Sequence, residues 1–196
     1  MFNKPDDTYA ASEHVETKNK SILILTANDT QDLEFFYPYY RFIEAGYHVD
    51  VATPDGGEFK GKMGMGLKDT MAIADVAASQ YQLLYIPGGK APAELKKNEG
   101  AITIVRDFVQ AKKPVAAICH GAQLLAAAGV IQDKNIAAWP EVQEEVEEAG
   151  AVFVSRPTVV DGQFITARWP GDLPSHLAAT IQFLEQPQAK PRIVNG

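Results

Sequence analysis

The sequence has one cysteine in 196 residues, Cys119, so no internal disulfide can form and a disulfide-stapled scaffold is excluded. Four histidines, His14, His48, His120 and His176, lie far apart and cannot build a zinc-finger or ribbon site with one thiol. No metal and no cofactor are expected. Positive charge is also short: 18 Lys and Arg stand against 25 Asp and Glu, a net charge of -7. A dedicated nucleic-acid binder, which lives on neutralising phosphates, is not expected from that balance. No apolar run approaches the roughly 18–20 residues that cross a bilayer. The first residues carry Pro5, Asp6 and Asp7 in place of an apolar signal core, so a cytoplasmic protein is the expectation. There is no phosphate loop and no G-x-G-x-x-G fingerprint. The glycines at 61, 64 and 66 lack a strand-then-helix setting, and a hairpin turn explains them better.

What is present is an alternation of short apolar runs and helical periodicity. Residues 21–27, 47–53, 81–86 and 114–118 read as strands, the first and third bounded by Asn28-Asp29 and Pro87-Gly88-Gly89. Residues 31–45, 99–111, 120–128, 141–149 and 173–185 read as helices, and Gly46 and Gly129 mark two of the stops. Pro54 to Gly57 reads as a turn cluster. Asp161-Gly162 between residues 158–160 and 163–166 is a two-residue hairpin signal. Strands alternating with helices predict an α/β fold, doubly wound, with a mostly parallel sheet sandwiched by helices, flavodoxin-like. Residues 1–20 read as a flexible arm, 21–186 as one domain and 187–196 as a tail. The acidic run at Glu141, Glu144, Glu145, Glu147 and Glu148 reads as a solvated helix face, because a hard cation needs oxygens converging from several segments.

Cys119 sits where the strand at 114–118 meets a helix start, followed by His120 and Gly121. That order resembles a nucleophile elbow, in which a strained turn lifts the reactive side chain above the sheet edge. Gly121 fits the turn because a side chain there would crowd it. Small neighbours, Ala116, Ala117 and Ala122, let strand and helix approach closely. Free cysteine is usually just a small buried hydrophobe. The strand-Cys-His-Gly-helix setting outweighs that reading and makes Cys119 the candidate nucleophile.

Several segments together resemble the ThiJ/PfpI superfamily, in its PfpI-like protease and amidase branch with a class I glutamine amidotransferase-like fold. They are Thr26-Ala27-Asn28 with Asp32-Leu33-Glu34 and Tyr37-Pro38, and Ile86 to Pro92. They continue with Lys113 to Gly121, and Val159 to Gly162 before Thr166-Ala167-Arg168. The glutamine-amidotransferase activity itself is not expected, since no His-x-Glu follows the cysteine. The resemblance implies a cysteine nucleophile at Cys119, assisted by His120. It implies an oxyanion hole from backbone N–H groups of Gly89 and His120, with Gly88 in the same loop. It implies Trp139 and Trp169 as walls of the substrate pocket.

The resemblance also implies a carboxyl group beside the thiol, and motif spacing puts Gln31 at that position. Glutamine can donate to a thiolate but cannot carry its proton. Glu34, one turn further on, is a second candidate, although an acid in a first helical turn is expected to face solvent. An acid that would follow the Ala-Pro of the glycine loop is replaced by Ala93, with Glu94 one place on. His48 and His176 read as structural. The expected activity is a thiol-dependent enzyme on small carbonyl compounds or amides, glyoxalase-, deglycase- or peptidase-like. The alternatives are a redox or stress sensor working by oxidation of Cys119, and a catalytically decayed binding or chaperone-like module. A homodimer or larger homo-oligomer is the expected assembly.

Overall fold

The structure, a computed structural model, describes residues 20–186. The tail at 187–196 and, apart from Lys20, the arm at 1–20 lie outside the described residues. The strands are β1 (Ser21–Leu25), β2 (His48–Thr53), β3 (Asp55–Lys60), β4 (Gly66–Ala72), β5 (Tyr81–Ile86), β6 (Val115–Ile118), β7 (Asn135–Ile136), β8 (Val152–Phe153), β9 (Thr158–Asp161) and β10 (Phe164–Ala167). The α-helices are α1 (Asp32–Glu44), α2 (Ala91–Leu95), α3 (Glu99–Gln110), α4 (Ala122–Ala128), α5 (Gln143–Glu148) and α6 (Leu173–Glu185).

Eight strands form one sheet in the order β3-β4-β2-β1-β5-β6-β10-β9. Its inner pairings are parallel, and the two edge pairs, β3 with β4 and β9 with β10, are antiparallel. β7 and β8 make a separate short ladder. The α/β expectation from strand-helix alternation is met.

The central strands are apolar on both faces because each face has its own helical layer. Successive residues alternate between the layers, as the pleat demands. Leu23, Leu25, Leu84, Ile86, Val115 and Ala117 pack with α3 and α4. Ile22, Ile24, Leu83, Tyr85, Ala116 and Ile118 pack with α1 and α6. On the second side Phe35 is the centre of an aromatic cluster, with ring centroids 4.8 Å from Phe59, 4.9 Å from Phe36 and 5.7 Å from Tyr39.

Two local differences from the sequence pattern have physical causes. The turn expected at 54–57 is the start of strand β3, which tolerates Gly56 and Gly57 at φ 73 and 76 because its register with β4 shifts just beyond them. Helix α2 has no signature in the sequence, since at five residues it is too short to show a period. The glycine-rich segment after β3 turns the β3–β4 hairpin, as expected.

Phe35 is fully buried, so Phe35→Ala is expected to lower stability by about 3–5 kcal/mol, read by chemical denaturation.

Candidate active site

β1, β5 and β6 are parallel, and the loops at their C-terminal ends meet around Cys119. Open α/β sheets place ligands at that end. Cys119 follows β6 with φ 61, in the left-handed region that a side chain normally avoids. Residues Cys119–Gly121 form a single tight turn before α4. Gly121 makes the turn possible, since a Cβ there would lie 2.6 Å from the Ile86 carbonyl oxygen.

The β5–α2 loop closes over the cysteine. A Cβ on Gly88 would lie 2.5 Å from Glu34 Oε2, 2.7 Å from Cys119 Cβ and 3.0 Å from the His120 nitrogen. Only a glycine fits among those three groups. The loop is pinned to the β1–α1 connection: Gln31 N–H and Thr30 Oγ1–H both donate to the Gly88 carbonyl, at 3.2 and 3.1 Å. Lys90 N–H donates to the Asp29 carbonyl at 2.9 Å. With the loop so held, the N–H groups of Gly89 and His120 are directed at the Cys119 sulfur.

The acid at the thiol is Glu34, which corrects the placement of Gln31 there. α1 begins at Asp32, so Gln31 is its N-cap, and Gln31 Oε1 accepts the Leu33 N–H at 3.1 Å. Glu34 falls instead on the inner face of α1, in line with buried Pro38 and Phe42. It is fully buried, not solvent-facing. Its Oε2 accepts the Gly88 N–H at 3.0 Å, and the carboxyl lies within hydrogen-bonding reach of the Cys119 thiol. Burial raises the Glu34 pKa from the usual 4.5 to about 7, against lowering by the Cys119 and Gly88 hydrogen bonds. Cys119 is itself pushed up, by burial first and by the Glu34 charge second, while the His120 and Gly89 N–H groups oppose the shift. Two buried acids side by side do not both ionise readily, so the pair keeps a proton on the thiol while Glu34 titrates.

His120 Nδ1 lies 3.3 Å from Cys119 Sγ. Its pKa is lowered by burial, with Glu141 and Glu145 pulling it up and Lys62 pushing it down. The ring is therefore ready to act as a neutral base near neutrality. Trp139 stacks on His120 at 6.2 Å and donates its backbone N–H to the Cys119 carbonyl at 3.3 Å. Trp169 meets Trp139 edge-on at 6.1 Å. Arg168 stands 4.2 Å above the Trp169 ring and is held by a two-pronged pair with Asp172, at 2.8 and 3.1 Å. The two tryptophans thus share one wall beside His120.

Some contributors were given no role by the sequence. Asp32, 4% exposed, accepts the N–H groups of Met63 and Met65 at 2.8 and 3.3 Å, and so ties the β3–β4 loop, with Lys62, to α1. Glu145, in the acidic run, bonds Lys96 Nζ at 2.8 Å and Gln123 Nε2 at 2.6 Å. Neither contact could be found without the tertiary fold. A groove of about 860 Å³ lined by Ser21, Tyr81 and Pro114 lies at the opposite, N-terminal ends of the strands, away from this chemistry. Among the described residues no cluster of His, Cys, Asp and Glu could hold a metal ion, and no helix is long and apolar enough to cross a membrane.

Residues 20–182 match the DJ-1/PfpI family, and the chain belongs to it. It is 35% identical over 164 residues to a protein of Pyrococcus horikoshii named a deglycase, covering 84% of this chain and 99% of that one. It is 36% identical over 169 residues to an Escherichia coli protein named protein/nucleic acid deglycase 2, covering 85% and 98%. A two-domain protein from Anabaena variabilis, containing DJ-1/ThiJ/PfpI-like and ferritin-like domains, superposes with a TM-score of 0.82 at 30% identity. That match covers 88% of this chain and 51% of the longer one, so the chain spans about half of it.

A buried carboxyl with a raised pKa favours the folded state only while protonated. Its contribution is full below the unfolded value and is lost as pH rises through the folded one. Between 4.5 and about 7 the ionisation of Glu34 is expected to take away roughly 3 kcal/mol of stability. Glu34→Gln removes that slope; denaturation midpoints for the two proteins across this range check it.

Proposed function

We propose that the protein is a thiol-dependent enzyme acting on small carbonyl compounds or their adducts, with Cys119 as nucleophile. The observation that carries this reading is the strained φ of 61 at Cys119, at the C-terminal end of β6, with the Gly89 and His120 backbone N–H groups facing its sulfur and Glu34 buried beside it. Strain of this kind costs about 1–3 kcal/mol and persists where the surroundings over-determine it, as at active sites. The deglycase names of the Pyrococcus horikoshii and Escherichia coli relatives support the same substrate class.

The chemistry follows from the proton inventory. The thiol passes its proton to Glu34 or to His120 Nδ1, and the sulfur pair forms a bond to the carbonyl carbon. The carbon–oxygen π pair moves onto oxygen, where the Gly89 and His120 N–H groups meet the new negative charge. The protonated Glu34 or His120 then returns its proton to that oxygen or to a leaving amine. With methylglyoxal the C1 proton of the hemithioacetal moves to the adjacent carbonyl carbon, whose oxygen is protonated, giving a 2-hydroxyacyl thioester; with an amide the amine leaves and a thioester likewise results. Water then adds to the thioester, releasing the acid and restoring the thiol. Glu34 supplies the acid/base step that a glutamine at the thiol would have withheld. The tryptophan wall and Arg168 would border the bound substrate, with small size favoured by the tight Gly88 contact.

Oxidative sensing at Cys119 fits less well. The cysteine is 7% exposed and its thiol is pushed up, whereas sensor thiols are accessible and of low pKa.

Cys119→Ala is expected to abolish turnover of methylglyoxal or its amine adducts while leaving the circular dichroism spectrum unchanged. Glu34→Gln should reduce kcat by about 10²–10⁴-fold. An alanine variant that kept wild-type turnover would overturn the mechanism.

A further inference from the structure

Behind the candidate nucleophile lies a set of polar atoms that the proposed chemistry does not use. Tyr85 on β5 and His176 on α6 are both fully buried, and their rings sit 5.7 Å apart at 48°. Tyr85 Oη and both His176 ring nitrogens have no hydrogen-bond partner among the described residues. Glu34 Oε1 is in the same condition. Tyr85 packs in the core layer that also holds Cys119 and the inner faces of α1 and α6. Its hydroxyl is near enough to feel the charges of both Glu34 and Cys119.

Buried polar atoms are rarely left unpaired, because each such group forfeits its hydration for nothing. A phenylalanine at 85 and a leucine at 176 would fill the same layer without that loss. Four such atoms, one of them on a carboxyl, supply both the donors and the acceptors that a buried water requires. Burial holds the His176 pKa at about 3, opposed by Asp172, so its ring is neutral and offers one donor and one acceptor. Burial likewise keeps the Tyr85 hydroxyl protonated.

We propose that Tyr85 and His176 are positioning residues for the Cys119–Glu34 pair, joined through an internal water into a hydrogen-bonded line that ends on Glu34 Oε1. The line donates to the carboxylate and so holds the shared proton toward the thiol. The other groups facing the pair are the Gly88, Gly89 and His120 N–H groups and the His120 ring, which itself faces Glu141, Glu145 and Lys62.

The inference rests on reading Cys119 and Glu34 as a proton-sharing pair, which Glu34→Gln tests separately. If the pair exists, Glu34→Gln changes the pH profile of thiolate absorbance; an unchanged profile would defeat the pair itself. Given the pair, Tyr85→Phe withdraws a donor from the carboxylate and moves the proton onto Glu34. The thiolate fraction at neutral pH, read by ultraviolet absorbance and by the rate of iodoacetamide alkylation, should rise about tenfold, the ratio expected when the thiol pKa falls by about one. His176→Leu should act in the same direction, and His176→Gln, which keeps a donor and an acceptor, should restore the wild-type value. If Tyr85 and His176 were only unpaired core residues, Tyr85→Phe and His176→Leu would raise the melting temperature and leave the thiolate fraction unchanged. That result would overturn the proposal. Should Tyr85→Phe fail to fold, the Leu and Gln variants at 176 decide it alone.

Discussion

The site depends on one backbone constraint, the left-handed conformation forced on Cys119 where β6 ends. A cysteine has no conformational licence for φ 61, so its neighbours must hold it there. Gly121 brings the turn against the Ile86 carbonyl, and Gly88 lets the neighbouring loop descend onto Cys119 Cβ and the His120 nitrogen. Both contacts use the absence of a side chain to bring backbone close around the cysteine. Two consequences follow from that single distortion. The Cys119 side chain stays buried, 7% exposed, beside Glu34, and the His120 amide turns toward its sulfur. On the proposed mechanism, the elbow therefore places nucleophile and oxyanion donors in the same act.

The second constraint is electrostatic. Glu34 lies in a layer otherwise made of aromatic rings and branched aliphatics, where an isolated carboxylate is disfavoured. Its one firm bond, from Gly88 N–H, comes from the same loop that covers Cys119. Loop placement and proton placement are therefore coupled. Moving the loop away from Cys119 would also strip the carboxyl of its donor. The pair is poised because neither member can ionise freely while the other is charged.

Much of the frame was legible in the sequence. The strand read at 81–86 and the helix read at 173–185 have the bounds of β5 and α6, and the strong stop at Pro87-Gly88-Gly89 fixes the end of the first. The elbow was legible because Cys119-His120-Gly121 carries a steric demand in three consecutive residues. The acid was misplaced for an equally physical reason. Spacing along the chain pointed to Gln31, but a helix that starts at Asp32 makes residue 31 a cap and turns residue 34 inward. The usual rule that acids face water then concealed Glu34, since only the tertiary approach of Gly88 and Cys119 gives it partners. Strand β3 was hidden by Gly56 and Gly57, which look like turn residues and are accommodated at a sheet edge by a register shift. Asp32 stood in a motif that gave it no role and Lys62 has no local signature; their roles arise when the β3–β4 loop folds back onto α1.

The central claim is that Glu34, not Gln31, is the proton-carrying partner of Cys119. The most direct measurement is the titration of the Glu34 carboxyl itself, followed by carbon NMR of glutamate-labelled protein with Glu34→Gln to assign the resonance. The account predicts a midpoint near 7, with the Cys119 side-chain resonance moving in the same transition. A carboxyl that titrates in the ordinary range near 4.5, with no response at Cys119, would contradict it.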